Sequence, residues 1–461
     1  MRRKLKSLFA PTDMTAGEPW KKIVAFMIPM LLGNIAQQLY NTVDSIVVGK
    51  YVGDNALAAV GSAFPVFNLL LVLFIGISVG AGIMVSQYFG AKNREALSKT
   101  IGTCLTLTII SSAVLMIIAP LVSRPLLRLL NTPDTIIDWC TSYLVILFIG
   151  VAGMAFYNIL GGILRGLGDS VSALLYLLIA TVLNIGLDIL FVAYFDMEVA
   201  GVALATVIAQ AVSAVLCFLK LARMKDVLDL KVKYMRPQAK YVGQIVRLGL
   251  PSGLTQMIMS LAMITIQSLS NQFGEMFIAA NVIVMRVDGF AMMPNFSFGM
   301  AMTTFAGQNV GAKQYDRVQK GAKQGTLIAM GVSAVITGLI LLFGKGLMGI
   351  FTDTQELVDF ARYCMGILAV GYVAMAVTQS LSGVMRGAGD AMTPMWISIM
   401  VSVVIRLPLA YGISWLTTTA ELPHGRNECV FVSLLGAWLM GALITTFFYR
   451  RGKWKSSALR G

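Results

Sequence analysis

Twelve apolar stretches, each long enough to cross a lipid bilayer and separated by short polar breaks, leave this chain very few folds. They fall near residues 23–48, 57–84, 100–121, 136–160, 171–195 and 199–221, then 243–270, 277–305, 324–344, 360–384, 392–417 and 429–449. A hydrocarbon core of about 30 Å takes about 20 apolar residues per helix. Inside that core each backbone N–H and C=O must find a partner in the chain, so runs of this length read as helices. Twelve spans use most of the 461 residues and exclude a long soluble domain. Charged residues make up 13% of the chain, against about 25% in an average soluble domain. The expected class is all-α integral membrane.

The breaks carry the charge, and they alternate. With the amino terminus taken as cytoplasmic, 28 Lys and Arg fall on that side, 6 on the other, and 2 (Arg286 and Arg406) inside spans. Such a bias places the basic breaks in the cytoplasm, and an even number of spans brings both termini there. The net charge of +14 is thereby a topology signal, gathered in Arg2, Arg3, Lys4 and Lys6, the 220–247 connection, and Arg450, Arg451 and Lys453. Nucleic-acid binding is not expected, because no basic domain stands outside the membrane. The first 20 residues are charged and polar, so no cleavable signal peptide is expected and the first span is retained. Cys104, Cys140, Cys217, Cys364 and Cys429 are scattered and lack metal-ligand spacing, which makes them packing residues.

Two motifs recur at a single offset. Gln87, Gly90, Ala91 and Lys92 return as Gln308, Gly311, Ala312 and Lys313, and 308 − 87 is 221. Gly162, Arg165, Gly166, Gly168 and Asp169 return as Gly383, Arg386, Gly387, Gly389 and Asp390, and 386 − 165 is again 221. The chain is a duplication with an even number of spans per copy, so the copies enter the membrane in the same direction. The expected organisation is a six-helix half at 1–221, a cytoplasmic linker at 222–242 and a second six-helix half at 243–461. Duplicated membrane proteins commonly hold a central cavity between such halves, which favours transport. Arg165 and Arg386 are expected to sit near an acidic partner at a helix end, on the turns that carry Asp169 and Asp390.

The stretch Pro29, Gln37, Tyr40, Asp44 and Gly49, followed by Ala56 to Gly61, resembles the first two helices of the multidrug and toxic compound extrusion (MATE) family. The repeated Gln-x-x-Gly-Ala segments and paired Arg-Gly-x-Gly-Asp turns are similar to that family as well, over essentially the whole chain. Arg286 with Asp288 before Pro294, and Arg406 before Pro408, resemble its bacterial DinF-like branch. The resemblance implies a multi-pass protein of the cell inner membrane, acting as an antiporter of small organic, often cationic or amphipathic, compounds against Na⁺ or H⁺. A lipid-linked-saccharide flippase of the same superfamily is the alternative, but it often has extra helices and a strongly basic cavity. No Walker A sequence or catalytic motif occurs, so neither an enzyme nor a cofactor is expected beyond the coupling ion.

Carboxylates at membrane depth are costly and mark ion or proton paths. Asp44, Asp188 and Asp288 qualify. Asp188 lies four residues beyond Asn184, on one helix face. Met197 centres the turn between the fifth and sixth spans, with Asp188 nine residues before it and Thr206 nine after. In an antiparallel hairpin both lie about 13 Å from that turn. Asp44, in the outer part of the first span, can meet them. Asp44, Asn184, Asp188 and Thr206 offer oxygen ligands suited to Na⁺, while the carboxylates could instead share a proton. The family resemblance carries the same four positions over as a cation site. Pro29 can kink the helix that bears Asp44.

Gln37, Tyr40 and Asn158 are candidates for substrate contact. Arg286, Asp288 and Arg406 are the second-half candidates, and Arg286 and Asp288, two apart on a helix, cannot point the same way. Nine methionines lie between Met257 and Met302 and read as membrane filler. His424 reads as a solvated loop residue. Small organic molecules and membrane lipids are the expected partners, and a monomer suffices.

Overall fold

The computed structural model describes residues 11–130 and 132–459; Arg2, Arg3, Lys4 and Lys6 lie outside them. Among the described residues there are helices and no strands. In chain order they are α1 (Pro19–Tyr51), α2 (Asp54–Gly90), α3 (Arg94–Leu129), α4 (Asp134–Ile149), α5 (Val151–Gly166), α6 (Ser170–Asp188) and α7 (Glu198–Arg223). After the linker come α8 (Ala239–Ser270), α9 (Glu275–Gly311), α10 (Tyr315–Gly349), α11 (Gln355–Ala369), α12 (Tyr372–Gly387), α13 (Met392–Ile399), α14 (Arg406–Leu416) and α15 (Cys429–Arg451). Nine elements are long and apolar enough to span a membrane, and two bent pairs, α4–α5 at 55° and α11–α12 at 43°, each supply one more. The 37-residue α2, apolar over Phe74–Gly90, completes twelve spans. Large apolar side chains point outward, among them Leu121 at 73% exposure and Leu342 at 77%. Such a surface requires hydrocarbon around it.

The repeat is visible as paired geometry. The two bent spans break at Gly150 and Gly371, and 371 − 150 is 221. At each break the neighbouring helix fills the place of a side chain: a Cβ on Gly150 would lie 2.3 Å from Val207, and one on Gly371 2.5 Å from Trp438. The helix-end motifs are likewise structural. A Cβ on Gly166 would lie 2.6 Å from the Gly82 carbonyl oxygen, and one on Gly387 2.2 Å from that of Thr303, so these glycines let two helix backbones touch. Gly168 and Gly389 turn the chain at φ of 84° and 99°. Asp169 then caps α6, accepting from the Ser172 amide at 2.9 Å and its hydroxyl at 2.8 Å. Asp390 does the same with Thr393 at 3.1 and 2.7 Å.

The structure corrects the expectation for the motif arginines. Both aspartates are occupied as caps, and Asp169 additionally meets Lys220 Nζ at 3.5 Å. Among the described residues no carboxylate pairs with Arg165 or Arg386. Arg165 instead folds back along its own helix, its guanidinium 3.3 Å from where a Cβ on Gly161 would be. The amide and hydroxyl donors three residues ahead occupy the carboxylate that the arginine four residues behind was expected to meet.

By packing, the chain forms two compact units. Among the described residues, one comprises 11–13 and Leu32–Gly253, the other Met14–Leu31 and 254–459. The repeat-based boundaries at 221 and 243 follow the duplication, whereas the packing boundaries fall inside α1 and α8. Each of these helices gives its early part to one unit and the remainder to the other. In the first unit the 222–242 connection lies along α3: Arg94 meets Asp229 at 3.0 Å, Ser98 accepts from the Asp229 amide at 2.9 Å, and Thr106 donates to the Met235 carbonyl at 2.5 Å. In the second unit the backbone of Met14 is held by Gln308, Asn309 and Arg317. All five cysteines are free and buried.

Candidate functional site

In the first unit α1, α6 and α7 bring Asp44, Asn184, Asp188 and Thr206 together. Asn184 and Asp188 share one face of α6 by their four-residue spacing, and both are fully buried at 0% exposure. Asp188 is the last residue before a π-helical turn, Ile189–Tyr194. Such turns widen a helix locally and recur at functional sites. With its amide nitrogen facing the carboxylates, Asn184 donates to Asp44 Oδ1 at 2.7 Å and to Asp188 Oδ2 at 3.3 Å. The Asp44 carboxyl is also within hydrogen-bonding reach of the Asp188 carboxyl and the Thr206 hydroxyl. No donor among the described residues reaches Asp188 Oδ1.

Two tyrosines complete the surroundings. Tyr40, one turn before Asp44 and buried, donates its hydroxyl to Thr206 Oγ1 at 3.2 Å. It belongs to the carboxylate cluster. Tyr143 on α4 is buried within electrostatic range of both aspartates; nothing in the sequence singled it out.

Chemically, the arrangement is two carboxyls in contact inside an apolar bundle. Two such groups cannot both stay ionised without a compensating charge, which a shared proton or a bound cation would supply. Among the described residues no cluster of three His, Cys, Asp or Glu could hold a transition metal. Oxygen atoms of carboxyl, amide and hydroxyl groups suit a hard cation. The Asn184 amide can serve either way, its nitrogen donating to both carboxylates or its oxygen ligating Na⁺.

The other sequence candidates fall elsewhere. Gln37 is half-buried on α1 and makes no hydrogen bond among the described residues. Asn158 on α5 turns its amide back to the Met154 carbonyl at 2.9 Å. His424 is exposed. In the second unit Arg286 is exposed on α9 and Asp288 half-buried, and they do not pair. Asp288 Oδ1 accepts from the hydroxyl of the fully buried Tyr372 at 2.9 Å. Arg406 opens α14 directly after a second π-helical turn, Met400–Ile405, and acts electrostatically on Asp288 without touching it. Nearby, Ser333 donates to Asn295 Oδ1 at 2.8 Å, and Asn295 donates to the Tyr372 carbonyl at 3.3 Å.

A duplicated bundle of twelve spans with paired carboxyls inside one unit is the architecture of a membrane transporter, not of an enzyme. The sequence profile of the MatE family matches twice, over residues 29–190 and 251–412, and the chain belongs to that family. The probable multidrug resistance protein YoeA of Bacillus subtilis is 30% identical over 453 residues, covering 95% of each chain. The probable multidrug resistance protein NorM of Thermotoga maritima is 24% identical, covering 95% of this chain and 94% of its own. A crystal structure of MATE in the straight conformation superposes with a TM-score of 0.87 at 25% identity, covering 95% of this chain and 97% of that one.

Proposed function

We propose that this protein exports small organic compounds, cationic or amphipathic, in exchange for H⁺ or Na⁺ taken up at Asp44, Asn184, Asp188 and Thr206, with Tyr40 holding Thr206. The observation that carries the reading is the meeting of the half-buried Asp44 carboxyl with the fully buried Asp188 carboxyl, bridged by Asn184. The names of the relatives support drug export over a lipid-linked-saccharide flippase. Gln37, Tyr40 and Asn158 remain proposed substrate contacts, and the working unit is a monomer in the lipid bilayer with both termini in the cytoplasm.

Antiport requires that one site lose substrate when an ion occupies it, otherwise the gradient does no work. An entering proton would bind Asp188 Oδ1, which has no donor, or the contact between the carboxyls. A Na⁺ ion would take the same carboxyl oxygens together with the Asn184 amide oxygen and the Thr206 hydroxyl. Either occupant cancels negative charge that a cationic substrate would otherwise meet. Pro29 supports coupling: it removes a backbone hydrogen bond from α1 close to Leu31, where that helix passes from one compact unit to the other.

The test is uptake of ethidium by proteoliposomes under an imposed H⁺ or Na⁺ gradient, one at a time. Wild type should respond to one of the two, and Asp44→Asn should abolish the response while remaining folded in the membrane. Gradient-driven uptake that survives in Asp44→Asn and is lost in Asp288→Asn would move the coupling site to the second unit and sink this assignment.

A further inference from the structure

Arg406 is a cation within a membrane span whose hydrogen-bonding capacity is unused. A guanidinium carries five N–H donors. Among the described residues none of them is bonded, and Nε is both sealed from solvent and without an acceptor. Buried donors left unmade are costly and uncommon in folded proteins, and an arginine in a span ordinarily meets a partner or an aqueous path.

Asp288 balances its charge but does not satisfy its donors. One oxygen of Asp288 is committed to the Tyr372 hydroxyl at 2.9 Å, and no direct ion pair joins Asp288 to Arg406 although each lies in the other's field. Tyr372 is fixed from the far side, its ring packed on Trp438 with centroids 5.7 Å apart and its backbone carbonyl accepting from Asn295. Asp288 is therefore held back from the arginine by a rigid anchor. The surrounding core is apolar and pliable, with Met292, Met365 and Met375 buried around Tyr372. The π-helical turn ending at Ile405 sets Arg406 at a break in its span.

We propose that Arg406 is the binding site for the carboxylate of a monoanionic aromatic or aliphatic organic acid, with Asp288 and Tyr372 fixing its charge and selectivity. A planar carboxylate answers the guanidinium fork with two parallel hydrogen bonds, which no single carbonyl can do. Asp288 sets the charge limit, because a dianion such as free phosphate would be repelled by it where a monoanion is tolerated.

The probe is radiolabelled benzoate, with benzamide as its uncharged match, in equilibrium dialysis against the purified full-length protein in detergent and against protein-free micelles. No ion gradient is used, so the result does not depend on which ion drives transport. Benzoate should bind about tenfold or more tightly than benzamide. Arg406→Gln should level the two ligands, Arg406→Lys should keep part of the preference because it retains the charge without the fork, and Asp288→Asn should tighten benzoate by removing the competing anion. Should Arg406→Gln fail to fold, the Lys variant and Asp288→Asn carry the test. Equal binding of benzoate and benzamide by wild type, an undiminished preference in Arg406→Lys and Arg406→Gln, or weaker benzoate binding in Asp288→Asn would each overturn the proposal.

Discussion

Tyr40 shows how one hydroxyl can assign a residue that helix periodicity cannot. Its spacing from Asp44 fixes a shared face of α1, but only the bond to Thr206 at 3.2 Å places it in the carboxylate cluster. A net hydrogen bond contributes about 0.5–1.5 kcal/mol, so Tyr40→Phe should raise the half-saturating ion concentration by about two- to tenfold at unchanged expression, read from transport rate against ion concentration. Gln37→Leu, which removes no hydrogen bond, should leave that concentration unchanged. The same limit governs what could be read beforehand. Asp188 and Thr206 were legible because a hairpin fixes equal depths on either side of its turn, and Asn184 because four residues make one helical turn. Tyr143 was not, since a lone tyrosine in an apolar helix has no pattern to betray a neighbour on another element. Arg165 and Arg386 were misread for a related reason: sequence proximity to Asp169 and Asp390 does not say that a serine or threonine three residues on will claim the carboxylate first.

Among the elements, the spans were legible in number and order, because hydrophobic length is set by the bilayer, although helices such as α3 and α10 run about five to nine residues past the apolar stretch at either end. The breaks within spans were not. The π-helical turns at Ile189–Tyr194 and Met400–Ile405 have no composition that separates them from α-helix. The bends at Gly150 and Gly371 follow from helix contacts that only the folded bundle makes. The repeated helix-end motif divides into parts that mutation can separate. A Cβ on Gly387 would sit 2.2 Å from the Thr303 carbonyl oxygen, so Gly387→Ala must push α12 from α9. Overpacking of this kind costs about 1–3 kcal/mol. Gly186, within α6, has nothing within 4 Å of its missing Cβ, and alanine there relieves helical entropy of about 0.5–1 kcal/mol. Thermal midpoints in one detergent should therefore fall for Gly387→Ala and hold or rise for Gly186→Ala. A fall of equal size in both would show that the motif glycine is not the contact it is taken to be.

The whole molecule is a duplication whose two crossing helices are themselves a matched pair. Pro29 in α1 and Pro251 in α8, 222 residues apart, each fall two residues before the packing boundary, at Leu31 and at Gly253. A polypeptide copied in tandem inserts both copies in one direction, because six spans return the chain to the side from which it started. Its orientation is then decided by the basic breaks, with 28 Lys and Arg on one side against 6 on the other, and the connection 222–242 must lie with the majority. The native cysteines do not interfere with a test, since all five are buried. Lys231, on the exposed part of that connection, is the position to change. In whole cells Lys231→Cys should resist a membrane-impermeant maleimide and label only after permeabilisation, while Lys50→Cys, at the opposite end of α1, should label in intact cells. The packing of the connection against α3 leaves the exposed Lys231 side chain reachable from its own side, so protection in intact cells reports the membrane and not the fold. Labelling of Lys231→Cys from outside would invert the assigned orientation, and labelling of both positions in intact cells would break the odd count of spans between them.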